Sequence, residues 1–173
     1  GYADFIVGAP YYPYAEEGRA FVYYGGEAEL TERTELSGAD GSVHYQFGWT
    51  VAGPGDVNGD GYDDVLVGAY TGHMLAVTHG MLALGDVSGA APSQSVPISV
   101  DDPHLEECGC DYAEWVAAAG DVNGDSYDDF FIAGRAGGLR LYTGGVDVLQ
   151  EFTRLDGSIA AGVGDINLSL IHI

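Results

Sequence analysis

The chain has 173 residues, and its 27 acidic residues against five arginines, with no lysine, give a formal net charge of −22. Such an acidic chain is not expected to bind nucleic acid or anionic membrane surfaces, because both need a cationic surface. Hydrophobic residues make up 46% of the chain and 28 residues are glycine, which favours a β protein with many glycine turns over a disordered chain. No apolar stretch approaches the roughly 18–20 residues of a membrane-spanning helix, so direct membrane insertion is not expected.

In chain order, the first pattern is a set of short apolar runs that end in small residues. They occupy residues 5–7, 65–67 and 130–132. Because they are β-branched or aromatic and bounded by glycine, they are typical of buried strands. A further strand is predicted after each run, at 19–24, 80–84 and 138–142, and a weaker one after that, at 34–36, 96–100 and 149–155. No convincing amphipathic helix is present, and the fold class is therefore predicted to be all-β.

A nine-residue acidic string supplies the period. Asp56–Asp64 recurs with one change as Asp121–Asp129, sixty-five positions later, and partial copies stand at residues 1–4 and 165–167. Nine residues before each of the two full strings and the last partial one, another strand pattern begins. Four short strands per unit, at a spacing of about 44 to 65 residues, predict a partial β-propeller of four-stranded antiparallel blades. The string then forms the turn between a blade's first and second strands.

This register divides the chain. The predicted units are the C-terminal part of a first blade at 1–46, a second blade at 47–111, a third at 112–155 and the start of a fourth at 156–167. Both ends fall inside a repeat, so we expect a fragment of a longer protein. Residues 168–173 break the pattern and match the translation of a transposase end used in sequencing libraries, so we expect a non-native tail there.

The string also carries the chemistry of a metal site. Side-chain oxygens fall at positions one, three, five and nine, a backbone carbonyl is available at seven, and a residue at six must permit a sharp turn. The predicted ligands are Asp56, Asn58, Asp60, the Tyr62 carbonyl and Asp64 in the first copy, and Asp121, Asn123, Asp125, the Tyr127 carbonyl and Asp129 in the second. Gly61 stands at position six, but Ser126 replaces it in the second copy. This exchange costs about 1 kcal/mol if the backbone there has positive φ, so we rank the second site below the first.

The donor set selects the ion. Oxygen-only ligands with a charge near −3 per loop favour Ca²⁺ over Zn²⁺, and they fit Mg²⁺ less well because Mg²⁺ retains its own waters. An EF-hand would need an acidic residue at position twelve, where this chain has Val67 and Ile132. The alternative for a single copy is a polar turn without a metal. Recurrence of the string in the same strand context favours calcium.

Together these motifs resemble an FG-GAP repeat. The resemblance rests on Phe47-Gly48, the Asp56–Asp64 loop and Gly68-Ala69, and the first unit retains Gly8-Ala9-Pro10. It implies the seven-bladed propeller found in integrin α chains and many bacterial surface proteins. The departures are Tyr112-Ala113 and Asp156-Gly157 in place of Phe-Gly, Tyr70 in place of Pro, and Ala133-Gly134-Arg135 in place of Gly-Ala-Pro. They weaken the case for standard packing in the later blades.

The resemblance implies a calcium-binding extracellular or cell-surface module for protein–protein interaction or adhesion, with a structural role for calcium and no enzymatic activity. A protein or glycan ligand is expected on the loop face opposite the calcium loops, where Tyr11, Tyr12 and Tyr14 are candidate contacts. Two alternatives stay open: a non-catalytic propeller scaffold of a secreted hydrolase or lyase, and a linear calcium-threaded array. Cys108 and Cys110 are free, form a strained local disulfide, or pair elsewhere.

Overall fold

A computed structural model describes most of the repeated region. The described residues are 2–13, 17–27, 33–38, 46–70, 80–85, 94–98, 114–134, 138–146, 150–157 and 160–163. They form eleven strands, which are β1 (Phe5–Ala9), β2 (Arg19–Tyr23), β3 (Arg33–Leu36), β4 (Phe47–Gly55), β5 (Asp64–Ala69), β6 (Gly80–Leu84), β7 (Gln94–Ile98), β8 (Trp115–Gly120), β9 (Asp129–Gly134), β10 (Gly138–Thr143) and β11 (Gln150–Leu155). Cys108, Cys110, Tyr14 and the predicted tail lie outside these residues.

The strands form three antiparallel meanders. The first sheet has the order β1-β2-β3, and the other two are four-stranded, β4-β5-β6-β7 and β8-β9-β10-β11. Every described strand pairs with its neighbour in sequence within its sheet. The part of the chain that is described contains no helix. It therefore contains no helix with the length and apolar character that a membrane crossing needs. The predicted fold class, an all-β partial propeller with four-stranded blades, is confirmed.

The strands begin and end within a few residues of the predicted positions. The strand after each full acidic string starts at the last aspartate of the string, at Asp64 and Asp129, rather than at the apolar residue that follows. The extension has a local cause, since the backbone of Asp64 pairs with Gly55 across a register shift in β4. β4 also extends beyond its apolar residues, because its glycine-rich end continues the pairing with β5 as far as Gly55.

Apolar side chains fill the space between consecutive sheets. One cluster joins the first and second sheets through the buried residues Ala20, Val22, Leu36, Phe47, Val67, Ala69 and Ala83. The other joins the second and third sheets through Val57, Leu66, Leu82, Leu84, Val116, Phe130, Ile132 and Tyr142. The second sheet contributes apolar residues to both clusters, one from each face, and burying a large aliphatic or aromatic side chain contributes about 1.5–3 kcal/mol. The sheets are therefore stabilised by packing against each other.

Two glycines allow the first two sheets to approach closely at β4. Gly48 has φ of 85°, and a Cβ built there would lie 2.1 Å from the carbonyl oxygen of Arg19. A Cβ on Gly8 would lie 2.1 Å from the carbonyl oxygen of Gly48. The neighbouring Phe47 is buried, and its N–H donates to the carbonyl of Glu17 at 3.3 Å. The Phe-Gly pair thus places an aromatic anchor and a backbone contact at the same point between the sheets.

Candidate metal centre

The two acidic strings form the turns from β4 to β5 and from β8 to β9. In the first turn, Asp56 folds the loop around its own carboxylate. Its Oδ1 accepts hydrogen bonds from the N–H groups of Gly59, at 2.7 Å, and Asp60, at 3.0 Å. Its Oδ2 accepts from the N–H of Gly61 at 2.8 Å. The position-one aspartate therefore satisfies three backbone donors of a loop that has no strand partner of its own.

Positions three and five are also ordered by short-range hydrogen bonds. The Oδ1 of Asn58 accepts from the N–H of Asp60 at 2.9 Å, and its Nδ2 donates to the Oδ2 of Asp60 at 2.9 Å. The Oδ1 of Asp60 in turn accepts from the N–H of Tyr62 at 3.0 Å. These are the local bonds that aspartate and asparagine form in turns, and they explain why the string needs such residues at alternate positions.

The second copy repeats this pattern bond for bond. Asp121 accepts from Gly124 at 2.7 Å, from Asp125 at 3.1 Å and from Ser126 at 2.9 Å. Asn123 and Asp125 make the same pair of contacts, at 2.9 Å and 2.8 Å, and Asp125 accepts from Tyr127 at 3.0 Å. The replacement of glycine by Ser126 therefore leaves the backbone of the loop unchanged.

The aspartate at position nine forms hydrogen bonds to two separate turns of its blade. Asp64 has only 1% of its surface exposed, and its Oδ2 accepts from the N–H of Val57 at 2.8 Å. Its Oδ1 accepts from the N–H of Gly85, after β6, at 2.9 Å. Asp129 makes the equivalent bonds to Val122, at 2.8 Å, and Gly144, at 2.9 Å. This aspartate thus ties the loop after the first strand to the turn after the third.

The glycine whose N–H donates to this carboxylate was not predicted from the sequence. Gly25 N–H donates to Asp4 at 2.7 Å, so the first sheet keeps the same bond. A Cβ on Gly85 would lie 2.5 Å from the carbonyl oxygen of Asp63, which leaves no room for a side chain. The signal was present, since a glycine follows the third strand of each unit at positions 25, 85 and 144.

Burial and charge shift the acidities of the loop carboxylates. Burial raises the pKa of Asp64 to about 6, although the N–H groups of Gly85 and Val57 oppose this, and the nearby Asp60 and Asp56 raise it further. Burial also raises the pKa of Asp129, with the same opposition from Val122 and Gly144. The pKa of Asp121, by contrast, is lowered, chiefly by the N–H of Ser126. The buried carboxylate at position nine is therefore the one whose negative charge is least well stabilised by the protein.

Position six has the backbone conformation that the sequence required. Gly61 has φ of 90° and Ser126 has φ of 73°. A Cβ at Gly61 would meet nothing within 4 Å, so the demand for glycine there is purely conformational. Ser126 therefore carries the left-handed strain that was expected of a side chain at this position.

Comparison with known proteins connects this geometry to a family. The match begins at the Phe-Gly pair of β4 and continues through the first acidic loop and β5. Residues 47–78 match the FG-GAP repeat family. The resemblance predicted from the sequence is therefore confirmed.

Integrin alpha chains are among the similar curated proteins. Integrin alpha pat-2 of Caenorhabditis briggsae is 35% identical in an alignment of 110 residues that covers 61% of this chain and 9% of that protein. Human integrin alpha-E is 29% identical in an alignment of 154 residues that covers 76% of this chain and 12% of that protein. Mouse integrin alpha-E is 41% identical over 73 residues, 40% of this chain and 6% of that protein. The chain spans about a tenth of the length of these relatives.

The FG-GAP loops offer the right donors for a hard cation, in a conformation held by their own backbone. Among the described residues, no three acidic, histidine or cysteine side chains come together in an arrangement that could hold a metal ion. The oxygens at positions one, three and five instead accept N–H groups of the loop itself, and each of these side chains still has an oxygen with a free lone pair. All-oxygen donors at alternate positions around a left-handed residue are chemically suited to Ca²⁺. The ten predicted ligands remain a prediction.

The opposite face of the described sheets carries exposed aromatic rings. Tyr11 and Tyr12 follow β1 and have 59% and 51% of their surface exposed. Trp49, at the start of β4, is 37% exposed and stacks on Tyr70 with ring centroids 5.0 Å apart. Trp115 begins β8 and is 48% exposed. Because the acidic loops follow the other ends of β4 and β8, these rings lie on the face away from the loops.

Proposed function

We propose that this chain is part of an integrin-like β-propeller that mediates adhesion at the cell surface, and that each acidic loop binds one Ca²⁺ ion in a structural role. The observation that carries the proposal is the pair of loops, which share one hydrogen-bonding pattern and one order of oxygen donors although they are sixty-five residues apart. A polar turn accounts for Asp or Asn at these positions through its hydrogen bonds, but it does not account for the recurrence of the whole string in the same strand context.

In this proposal the first ion is held by the carboxylates of the first loop with the Asn58 amide and the Tyr62 carbonyl, and the second by their counterparts. Calcium supplies positive charge to loops that otherwise contain several carboxylates close to one another. The effect is largest at position nine, where Asp64 is buried and burial raises its pKa to about 6. A cation beside an ionised buried carboxylate offsets the free energy lost on desolvation.

Thermal unfolding with and without calcium tests the role of the ion. We expect the chain in excess EDTA to melt at a lower temperature than in a few millimolar Ca²⁺, since extracellular calcium modules bind with Kd of roughly 10⁻⁴ to 10⁻³ M. At 10 Kd the ion stabilises each site by about 1.4 kcal/mol, from the logarithmic dependence on free ligand. The matched control replaces Asp60 and Asp125 with Asn, which keeps the size of both side chains. Equal melting temperatures with Ca²⁺ and with EDTA in the unmodified chain would reject the proposal.

The adhesion partner is proposed to be a protein or glycan that binds the face opposite the loops, outside the cell. Support comes from the exposed rings of Tyr11, Tyr12, Trp49 and Trp115 on this face, because tyrosine and tryptophan bury a large area at low cost in side-chain entropy. The names of the relatives, integrin alpha chains, supply the class of function. In this reading the repeats themselves are non-catalytic.

A partner captured from an extracellular protein or glycan array can locate the face. Replacing Tyr11 and Tyr12 with Ala should weaken its binding, and the same change at exposed Val122 on the loop side should not. Binding that survives the tyrosine changes but is lost with Val122→Ala would place the ligand on the loop face and overturn this part of the proposal.

A further inference from the structure

The two acidic loops touch each other across the boundary between the second and third sheets. The N–H of Asp56 donates to the Oδ2 of Asp128 at 3.0 Å, and the N–H of Asp128 donates to the carbonyl of Asp56 at 3.0 Å. The N–H of Gly145 donates to the carbonyl of Val57 at 2.8 Å. We call this the interloop contact: residues 55–59 of the first loop against 127–128 and 144–145 of the third sheet.

Glycines give the interloop contact its close fit. A Cβ on Gly55 would lie 2.1 Å from the Oδ2 of Asp128, and a Cβ on Gly59 would lie 2.4 Å from the ring of Tyr127. A Cβ on Gly144 would lie 2.5 Å from the carbonyl oxygens of both Asp128 and Val57. The first loop is therefore packed directly on the Asp128 carboxylate and the Tyr127 ring, and its Val57 carbonyl lies against the backbone at Gly144.

The equivalent positions that face the partial copies of the string are more exposed. Val57, the second residue of the first loop, is 2% exposed, whereas its counterpart Val122 is 47% exposed. Tyr62, the counterpart of Tyr127, is 40% exposed, and with Asp63 and Gly85 it lines an open cavity of 570 Å³ beside the first sheet. Within the described residues, the interloop contact is therefore formed between the two full copies of the string.

We propose that Asp128 is a positioning residue that couples the two calcium sites, so that an ion in the second loop strengthens binding of an ion in the first. The proposal rests on the calcium-binding function proposed above. Asp128 stands between Tyr127 and Asp129, two of the residues assigned to the second ion. An ion that fixes these two neighbours also fixes the Asp128 carboxylate and backbone N–H, which hold Asp56, the position-one ligand of the first ion.

The coupling arises because the backbone at Asp56 is already ordered before the first ion binds. Binding of the first ion must restrict the backbone at Asp56, and this restriction is smaller if Asp128 already holds it in place. Coupling between two binding sites is commonly five- to 150-fold in affinity, and linkage makes it reciprocal. We therefore expect the first ion to strengthen the second by the same factor.

Three calcium titrations by calorimetry measure the coupling. Asp125→Ala removes a side-chain ligand of the second site and reports the first alone, Asp60→Ala does the reverse, and the unmodified chain reports both. We expect the two-ion constant of the unmodified chain to exceed the product of the single-site constants by about fivefold or more. A product within twofold of the two-ion constant would show independent sites and overturn the proposal, while the calcium-binding function would stand. No calcium binding at all would instead reject that function.

Variants of Asp128 assign the coupling to this residue. Asp128→Ala removes the acceptor for the Asp56 N–H and should bring the coupling factor close to one. Asp128→Asn keeps an acceptor oxygen in the same place and should retain most of it. The matched control is Asp63→Ala, which removes the same charge at the same position of the string, where it lines a cavity with residues 2–4 and takes no part in the interloop contact, and should leave the factor unchanged.

Melting temperatures in EDTA separate positioning from stability. A residue that only stabilises the fold would lower the melting temperature when replaced, without changing the coupling factor. Loss of the factor in Asp63→Ala as well, or its retention in Asp128→Ala, would overturn the role of Asp128.

Discussion

Ser126 offers a direct measure of the strain at position six. Its φ of 73° lies in the left-handed region, where a residue with a Cβ is destabilised by about 1–2 kcal/mol. Ser126→Gly removes this strain but gives the unfolded chain more conformational freedom, which costs about 0.4–1 kcal/mol. The N–H to Asp121, at 2.9 Å, is retained. The net expectation is a gain of about 0.5–1 kcal/mol in the free energy of unfolding.

The reciprocal change provides the matched control. Gly61→Ser imposes the same strain at φ of 90° in the first loop, where a Cβ would meet nothing within 4 Å. It should destabilise the chain by about the amount that Ser126→Gly gains. Urea unfolding, followed by tyrosine fluorescence in EDTA, gives both values, and the corresponding shift in melting temperature is about 1–4 °C for a chain of this size. Two shifts of the same sign would refute the assignment of strain to position six.

Two further predictions concern the fold without calcium. Because protonation of Asp64 is favoured in the folded state, its stabilising effect is complete below pH 3.8 and is lost as the pH rises through about 6. The chelated chain should therefore be more stable at pH 5 than at pH 7 by about 1.3 kcal/mol, out of about 3 kcal/mol over the whole titration at 1.4 kcal/mol per pKa unit, and Asp64→Asn should flatten this slope; an unchanged slope would assign it to other groups. In thermal melts, Gly48→Ala should destabilise the chain by more than about 2 kcal/mol, because its Cβ would lie 2.1 Å from the Arg19 carbonyl oxygen. Gly53→Ala is the control in the same strand. Its Cβ would meet nothing within 4 Å, so it should change stability by under about 0.5 kcal/mol. Equal effects of the two alanines would contradict the close approach of the sheets at Gly48.

Periodicity made the fold readable from the sequence. The apolar runs at 65–67 and 130–132 are bounded by glycine and repeat in register with the acidic string, so their identity as strands did not depend on tertiary contacts. The left-handed conformation at Ser126 was also predictable, because its counterpart is glycine. These features are set by neighbouring residues in the sequence, so they could be predicted without knowledge of tertiary contacts.

Contacts between repeats could not be predicted in the same way. Asp64 and Asp128 are both aspartates of one acidic string, and nothing in their types shows that one binds Gly85 across the blade while the other holds Asp56 of the preceding repeat. The doublet at positions eight and nine therefore divides two tasks between residues of identical chemistry. Only the position of each carboxylate in space separates them.

The bond from position nine to the glycine after the third strand also bears on where the protein can change length. It ties together two turns on the loop face, and the acidic string keeps its nine residues in both full copies. On the other face, ten residues separate Ala69 of β5 from Gly80 of β6, but only three separate Gly134 of β9 from Gly138 of β10. Insertions and deletions are thus accommodated where no carboxylate links the turns. A designer who wishes to graft a binding peptide onto this scaffold should place it between the second and third strands of a blade.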